Sequence, residues 1–165
     1  MMIVLRLVHI LAGAFWFGAL IFTARILMPS AREAGPAGVP LMAQIGRRIP
    51  PMMMASAILT VVAGVWLMMR DAAIGGWMQT STGRTFGAGG ALAIIAFIFG
   101  MVVNMPAARR MGAIGQVVAK RGGPPTAEES AELARIQKRL GMGTVVVTSL
   151  IALATAAMAV ARYMP

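Results

Sequence analysis

The chain contains no cysteine, one histidine, one tyrosine and only five acidic residues among its 165. Without cysteine it can form no disulfide, no thiolate metal site, no iron–sulfur cluster and no cysteine nucleophile. One imidazole and five carboxylates leave little material for general acid–base catalysis. These absences favour a protein that is not an enzyme.

Apolar residues, in contrast, are abundant. Hydrophobic residues make up 59% of the chain and charged residues 12%, against roughly 45–50% and about 25% in a typical soluble domain. A chain of this size cannot hide so much apolar surface in a water-soluble core. The composition therefore predicts a membrane protein.

Four stretches approach the roughly 20 apolar residues that a membrane span requires, and each is predicted to be a helix. They are residues 3–28, 52–69, 86–105 and 140–161. Pro51 is expected in the first turn of the second helix, and Pro106 is expected to bend or end the third. Arg6 and the Ala12–Ala14 segment resemble a signal peptide, but the apolar run continues well beyond them, so the first stretch is interpreted as a mature helix.

The predicted fold class is an all-α membrane protein, with one domain over residues 1–165. Its four transmembrane helices form a tight antiparallel bundle, and a cytoplasmic helical hairpin at 107–139 joins helices three and four. In this hairpin, Gly122–Pro125 predicts a turn and Thr126–Glu129 a capping box. Apolar residues follow one face of each arm: Met111, Ile114 and Val118, then Leu133, Ile136 and Leu140. The hairpin either caps the bundle or docks a partner, and both roles stay open.

The basic residues predict the orientation. The net charge is +10, and eleven of the 15 lysines and arginines lie in or beside loops one (29–48) and three (106–139). By the positive-inside rule these loops face the cytoplasm and both termini face outward, as in a bacterial inner membrane protein. Anionic lipid headgroups are the natural partners of this charge. Since no nucleic-acid-binding motif accompanies it, no nucleic acid is expected as a partner.

Small and polar residues recur at helical spacing and predict the faces on which the helices pack. They are Ala14 and Gly18; Ser56, Thr60 and Gly64; Ala96 and Gly100; and Thr144, Thr148, Ala152 and Ala156. Ile151, beside the last stripe, is expected to face outward. The remaining faces are large and apolar, and they suit lipid or the helices of other membrane subunits.

His9 is the candidate cofactor residue, because ionisable side chains inside membrane spans are expected to be functional. Trp16 lies on the same helix face. A neutral imidazole could ligate haem iron or copper; alternatively, His9 hydrogen-bonds a threonine or a backbone carbonyl. Thioethers favour Cu(I), so the 16 methionines also admit copper, although methionine is equally a filler of apolar space. No firm cofactor and no firm metal site are predicted.

The first helix resembles the opening of the CopD-like membrane families, which include the HemJ-type protoporphyrinogen oxidases. The similar segments are Arg6–His9, Phe15–Gly18 and Ala24–Met28, followed by Gly64 and Gly76-Trp77. The resemblance implies a four-helix fold and haem or porphyrin binding at His9. The family's later histidine and lysine are replaced by Met78–Thr82, and Met101–Met105 stands where a further histidine would lie, so oxidase chemistry is not expected.

Two functions are therefore carried forward. The first is a non-catalytic accessory or structural subunit that packs against a larger energy-transducing membrane complex. The second is a CopD-like protein that binds haem, porphyrin or copper through a single histidine. A transporter is less favoured, because charged or broken-helix sites near mid-membrane are not evident in the sequence.

Overall fold

The computed structural model describes residues 2–35 and 38–164, except for the side chains of Arg32, residues 38–44 and Arg47. The described chain is almost entirely helical. The α-helices are α1 (Met2–Phe22), α2 (Met28–Glu33), α3 (Gly38–Ala72), α4 (Ser81–Phe99), α5 (Met105–Arg121) and α6 (Ala127–Val160). Two π-helical segments, Thr23–Leu27 and Gly100–Asn104, join α1 to α2 and α4 to α5, and short 3-10 turns lie at Trp77–Gln79 and Ala161–Tyr163.

Four helical stretches are long and apolar enough to cross a membrane: Met2–Ala31, Arg48–Ala72, Ser81–Arg121 and Ala127–Tyr163. The predicted fold class, an all-α membrane protein with four spanning helices, is confirmed. The second helix begins earlier than predicted. Pro50 and Pro51 lie inside α3 and not in its first turn, because the helix already begins at Gly38.

The helices associate as two antiparallel pairs. Helix α1 packs mainly on α3, and α4 packs mainly on α6, whereas contacts between the pairs are fewer. Within the first pair, His9 lies against Gly64 and Gly13 against Thr60, so the two helices run in opposite directions. Small residues at these positions let the backbones approach, as is usual for helices in lipid.

A small apolar cluster joins the two pairs. Its buried members are Trp16, Leu20, Ala57, Ala96, Val147 and Ile151. Trp16 meets Phe97 edge to face, with ring centroids 6.4 Å apart and planes at 83°, an arrangement that aromatic pairs favour. Large side chains of α1 and α6 thus fill the space beside small residues of α3 and α4.

The buried face of α6 differs from the prediction by one residue. Gly143, Val147, Ile151 and Ala154 are buried, whereas the predicted stripe of Thr144, Thr148, Ala152 and Ala156 is half-buried or exposed. The expectation that Ile151 faces outward is wrong, since it is only 5% exposed. Val147 and Ile151 belong to the same buried cluster as Ala96 of α4, whereas Gly143 and Ala154 lie where Asn104 and Gly89 approach α6; the buried face is therefore set by the neighbouring helix and not by small residues of α6 alone.

The small residues of α1 and α4 also need correction. Ala14 and Gly18 are exposed, and a Cβ added at Gly18 or Gly100 would meet nothing within 4 Å. These three positions therefore make no close helix contact. The other predicted positions lie at contacts: Ser56, Thr60 and Ala96 are buried, and Gly64 lies under His9. A small side chain permits close packing but does not require it.

Each π-helical segment comes just before a proline, Pro29 or Pro106. In both cases the N–H of the methionine preceding the proline donates to the carbonyl five residues back. A proline in an α-helix lacks an N–H and clashes with the carbonyl four residues before it, and the wider π-helix relieves that clash. The third helix therefore continues through Pro106, so of the two expectations for this proline, the one that it ends the helix is wrong.

The same five-residue pattern, Met-Pro-x-Ala-Arg, follows both π-helical segments, at residues 28–32 and 105–109. It occurs in the first helix of each pair, directly after the widened turn. The two pairs are thus built alike at this level. This repeat was the sequence signal for the π-helical segments, and it was missed in the prediction.

The predicted hairpin between the last two spans is formed by α5 and the first part of α6. Gly122 ends α5 with a positive φ of 73°, which glycine adopts without strain. Thr126 begins α6 with the predicted capping box, its side chain accepting from the Glu129 N–H. The helix from Ser81 to Arg121 has 41 residues, about 60 Å, twice the hydrocarbon thickness of about 30 Å. The hairpin therefore extends beyond the hydrocarbon.

Two ion pairs hold the hairpin arms together. Arg110 Nε lies 2.8 Å from Glu132 Oε1, and Arg121 Nη2 lies 2.6 Å from Glu129 Oε2. Hydrogen bonds from Arg121 and from the Thr126 N–H lower the pKa of Glu129 to about 2. Exposed ion pairs such as these stabilise a protein only modestly, so the hairpin also depends on its apolar contacts, centred on buried Ala107 and Ile114.

Candidate functional site

His9 is fixed between α1 and α3 by an interhelical hydrogen bond. Its ring Nδ1 lies 2.8 Å from the backbone oxygen of Thr60. A carbonyl oxygen can only accept, so Nδ1 carries the proton and, in the neutral ring, Nε2 keeps its lone pair. The bond is the alternative to ligation that the sequence left open, and it also determines which nitrogen could bind a further group.

Gly64 gives the imidazole ring the space that it occupies. A Cβ at position 64 would lie 2.7 Å from His9 Cε1 and 3.0 Å from Nδ1, closer than real contacts allow. The next contact lies one turn after His9 along α1, where a Cβ at Gly13 would be 3.3 Å from the Thr60 methyl group. The part of the α1–α3 interface around His9 and Gly13 is therefore close-packed.

Side-chain hydroxyls on α3 are satisfied within their own helix. Thr60 Oγ1 donates to the Ser56 backbone oxygen at 2.7 Å, and Ser56 Oγ donates to the Met53 oxygen at 2.9 Å. Such bonds to preceding carbonyls satisfy hydroxyls inside helices. They leave the Thr60 carbonyl as the group that contacts His9.

Trp16, the other predicted cofactor residue, lies in the core. Its side chain is 6% exposed and packs against Phe97. It is two helical turns from His9 along α1, and it serves the contact between the helix pairs.

Within the described part of the chain, no group of three or more histidine, cysteine or carboxylate side chains is placed to hold a metal ion. The methionines near the start of α4 pack over glycines. Both the Met68 and the Met78 methyl carbons would lie 3.5 Å from a Cβ at Gly87. Because their methyl ends converge there, these side chains act as flexible fillers of the glycine surface.

A groove of about 440 Å³ separates the C-terminal half of α1 from the part of α3 around Ile49 and Met52. It is lined by Ala14, Phe15, Gly18, Ala19, Phe22, Thr23, Ile49 and Met52, and we call it the α1–α3 groove. Small residues on α1 leave the space unfilled, so the predicted packing residues Ala14 and Gly18 line this groove. Sequence reasoning missed it because a stripe of small residues looks the same beside a helix and beside a cavity.

Three buried polar side-chain atoms lack a hydrogen-bond partner among the described residues: Thr23 Oγ1, Asn104 Oδ1 and Thr148 Oγ1. Two of them lie in the π-helical segments. Asn104 rests on Gly143, where a Cβ would overlap its amide. Thr23 lines the α1–α3 groove. Unpaired buried polar groups are costly, so each marks a place where a further hydrogen-bond partner would be stabilising.

Comparison with known protein families, with curated proteins and with solved structures gives no match to the chain. Its own geometry offers two features for function: an imidazole whose orientation is fixed by Thr60 and Gly64, and an apolar groove further along the same helix pair.

Proposed function

We propose that the chain is a non-catalytic accessory or structural subunit that packs against a larger energy-transducing membrane complex. The observation that carries this proposal is shallow burial. Only 11% to 22% of the most apolar stretch of each span is buried, although the helices are paired. Their outward faces carry large side chains such as Ile98 and Leu153, 53% and 59% exposed. Faces of this kind accept the helices of another membrane protein as readily as lipid.

The hairpin supports the same proposal. It extends two membrane helices without interruption by loops, and its apolar face is used internally. Its outer surface carries exposed basic residues, including Arg109, Arg135 and Lys138. With this end in the cytoplasm of a bacterial cell and both termini outside, the basic surface meets anionic headgroups and an adjoining subunit at the membrane boundary.

The test is photo-crosslinking in native membranes from single positions on the outward faces. A photoreactive amino acid at Ile98 or Leu153 should give one crosslinked product of fixed mass, identified by mass spectrometry as the same partner. The matched control is Ile151, which is buried and should crosslink only within the chain. Products limited to lipid and to copies of this chain would contradict the proposal.

A second candidate is a CopD-like protein that binds haem, porphyrin or copper at His9. The hydrogen bond from Nδ1 to the Thr60 oxygen supports it, because metal-binding histidines commonly donate their other ring N–H to a carbonyl. His9 Nε2 would be the ligand atom, and a second ligand would have to come from a partner or a methionine. Similarity of the first helix to that family supports the same residue.

Titration of the purified protein with haemin or Cu(I) separates the two candidates. Under the second, a Soret band or stoichiometric copper forms on the native chain and is lost in His9→Gln, while circular dichroism stays helical. An amide replaces imidazole poorly at iron or copper. Under the first, neither ligand binds stoichiometrically, and His9→Gln leaves the crosslinked product unchanged.

A further inference from the structure

We propose that the α1–α3 groove binds an acyl chain of an anionic phospholipid, whose headgroup is held by Arg25 and Arg48. The groove lies along two spanning helices, so in the membrane it opens toward lipid. Its volume of about 440 Å³ falls within the roughly 300–1,000 Å³ of ordinary ligand sites. The lining is apolar except for the Thr23 side chain, which suits a hydrocarbon chain.

Positive charge lies at the loop-one end of the groove. Arg25 follows Phe22 by three residues, and Arg48 precedes Met52 by four. Arg48 shares a helix face with Met52, four residues on. Arg25 lies two residues beyond the groove residue Thr23, within the π-helical segment, so both arginines lie at this end of the groove. Both are exposed, and Glu33 is the described carboxylate on the same segment, about two turns beyond Arg25. An anionic headgroup complements the two arginines.

The unpaired Thr23 hydroxyl adds a donor at the same end. Its oxygen is buried without a partner, because the π-helical segment changes the carbonyl geometry to which a helical threonine normally donates. Lipid ester and phosphate oxygens are acceptors. Rotation of the Thr23 side chain toward the groove that it lines would let the buried hydroxyl donate to such an oxygen.

In the second helix pair, the helices are in contact beside the corresponding π-helical segment. There the Asn104 amide rests on Gly143, so α6 and the π-helical segment after α4 are in contact. Both pairs carry a π-helical segment followed by Met-Pro-x-Ala-Arg, but the groove lies beside this segment in the first pair, whereas Asn104 contacts Gly143 in the second. The motif by itself therefore does not determine whether the paired helices meet.

Native mass spectrometry of the full chain in mild detergent tests the proposal, with palmitoyl-oleoyl phosphatidylglycerol and phosphatidylcholine as probes. Gly18→Leu fills the groove without meeting protein, since a Cβ there has open space. Its matched control is Gly100→Leu, also in open space but on the other pair. Arg25→Gln and Arg48→Gln test the headgroup site, with Lys120→Gln on the hairpin as their control.

The expected result is one retained phosphatidylglycerol on the native chain and on both controls, lost in Gly18→Leu. Each arginine replacement should weaken phosphatidylglycerol binding about fivefold, the loss of about one basic contact at a membrane surface. Equal retention of phosphatidylcholine would overturn the headgroup assignment. Equal lipid loss in the two leucine variants would overturn the groove assignment. So would a native dimer that is lost in Gly18→Leu while the lipid is retained, because the groove would then bind a second copy of the chain. Size-exclusion profiles verify that each variant is folded, and the arginine variants test the site without altering the groove.

Discussion

The contact between His9 and Gly64 should behave as a coupled pair. In Gly64→Ala, the new Cβ would lie 2.7 Å from His9 Cε1, so the ring has to move and its bond to the Thr60 oxygen is lost. An interhelical hydrogen bond in a membrane contributes about 0.6 and at most about 1.7 kcal/mol. Overpacking adds about 1–3 kcal/mol, and the better helix propensity of alanine returns up to about 1 kcal/mol. We expect a net loss of about 1–3 kcal/mol.

The assay is reversible unfolding in mixed detergent micelles, measured for the native chain, Gly64→Ala, His9→Ala and the double variant. Once the imidazole is absent, Gly64→Ala has nothing to displace and should be nearly neutral, so the cycle should give a coupling energy of about 1–3 kcal/mol. Gly18→Ala, in open space, should not destabilise the protein and should gain up to about 1 kcal/mol from the better helix propensity of alanine. Additive effects of the two replacements would refute the reasoning.

The remaining predictions concern α6 and the hairpin. Ile151→Ala should lower the free energy of unfolding by about 2 kcal/mol in the same assay, at the low end for core truncation because lipid lessens the hydrophobic term. Ala156→Leu should leave that free energy nearly unchanged, and equal effects of the two replacements would contradict the observed buried face. Thr126→Ala should destabilise the hairpin by about 1 kcal/mol, which should be measured as faster amide hydrogen exchange in the first turn of α6. Unchanged exchange would show that the capping box contributes nothing to stability. Because the pKa of Glu129 is lowered from 4.5 to about 2, its stabilising effect should be complete above about pH 4.5 and lost as the pH falls toward 2. Spin-label distances across the hairpin should widen over that interval in the native chain and not in Glu129→Gln.

The sequence predicted the parts of the fold that depend on length and local chemistry. The membrane spans follow from the number of apolar residues needed to cross a bilayer, and the capping box at Thr126 follows from hydrogen bonds within a single turn. Neither depends on how the helices are arranged. This is why both predictions agree with the structure.

The helix faces were harder to predict, because in lipid a buried and an exposed residue can be equally apolar. Ile151 is buried since α4 offers it small neighbours, a fact about the partner helix that is absent from the pattern of α6 itself. Gly18 illustrates the converse, as its small side chain lies beside a groove. At His9, the sequence identified the residue but not its partners, because Thr60 and Gly64 are brought to it by the pairing of α1 with α3.

The two π-helical segments also mark the ends of two regular α-helices of nearly equal length. The regular helices before them, Met2–Phe22 and Ser81–Phe99, have 21 and 19 residues, or about 32 and about 29 Å at 1.5 Å per residue. Both match a hydrocarbon core of about 30 Å, with the widened turn and its proline at the far edge. A straight helix can tilt to fit a thinner bilayer, but in a thicker one the charged residues that follow each proline in the sequence would be drawn toward hydrocarbon, and mismatch costs a fraction of a kcal/mol per Å. Repeated in both helix pairs, this limit suits the chain to membranes of ordinary thickness and disfavours thicker ones.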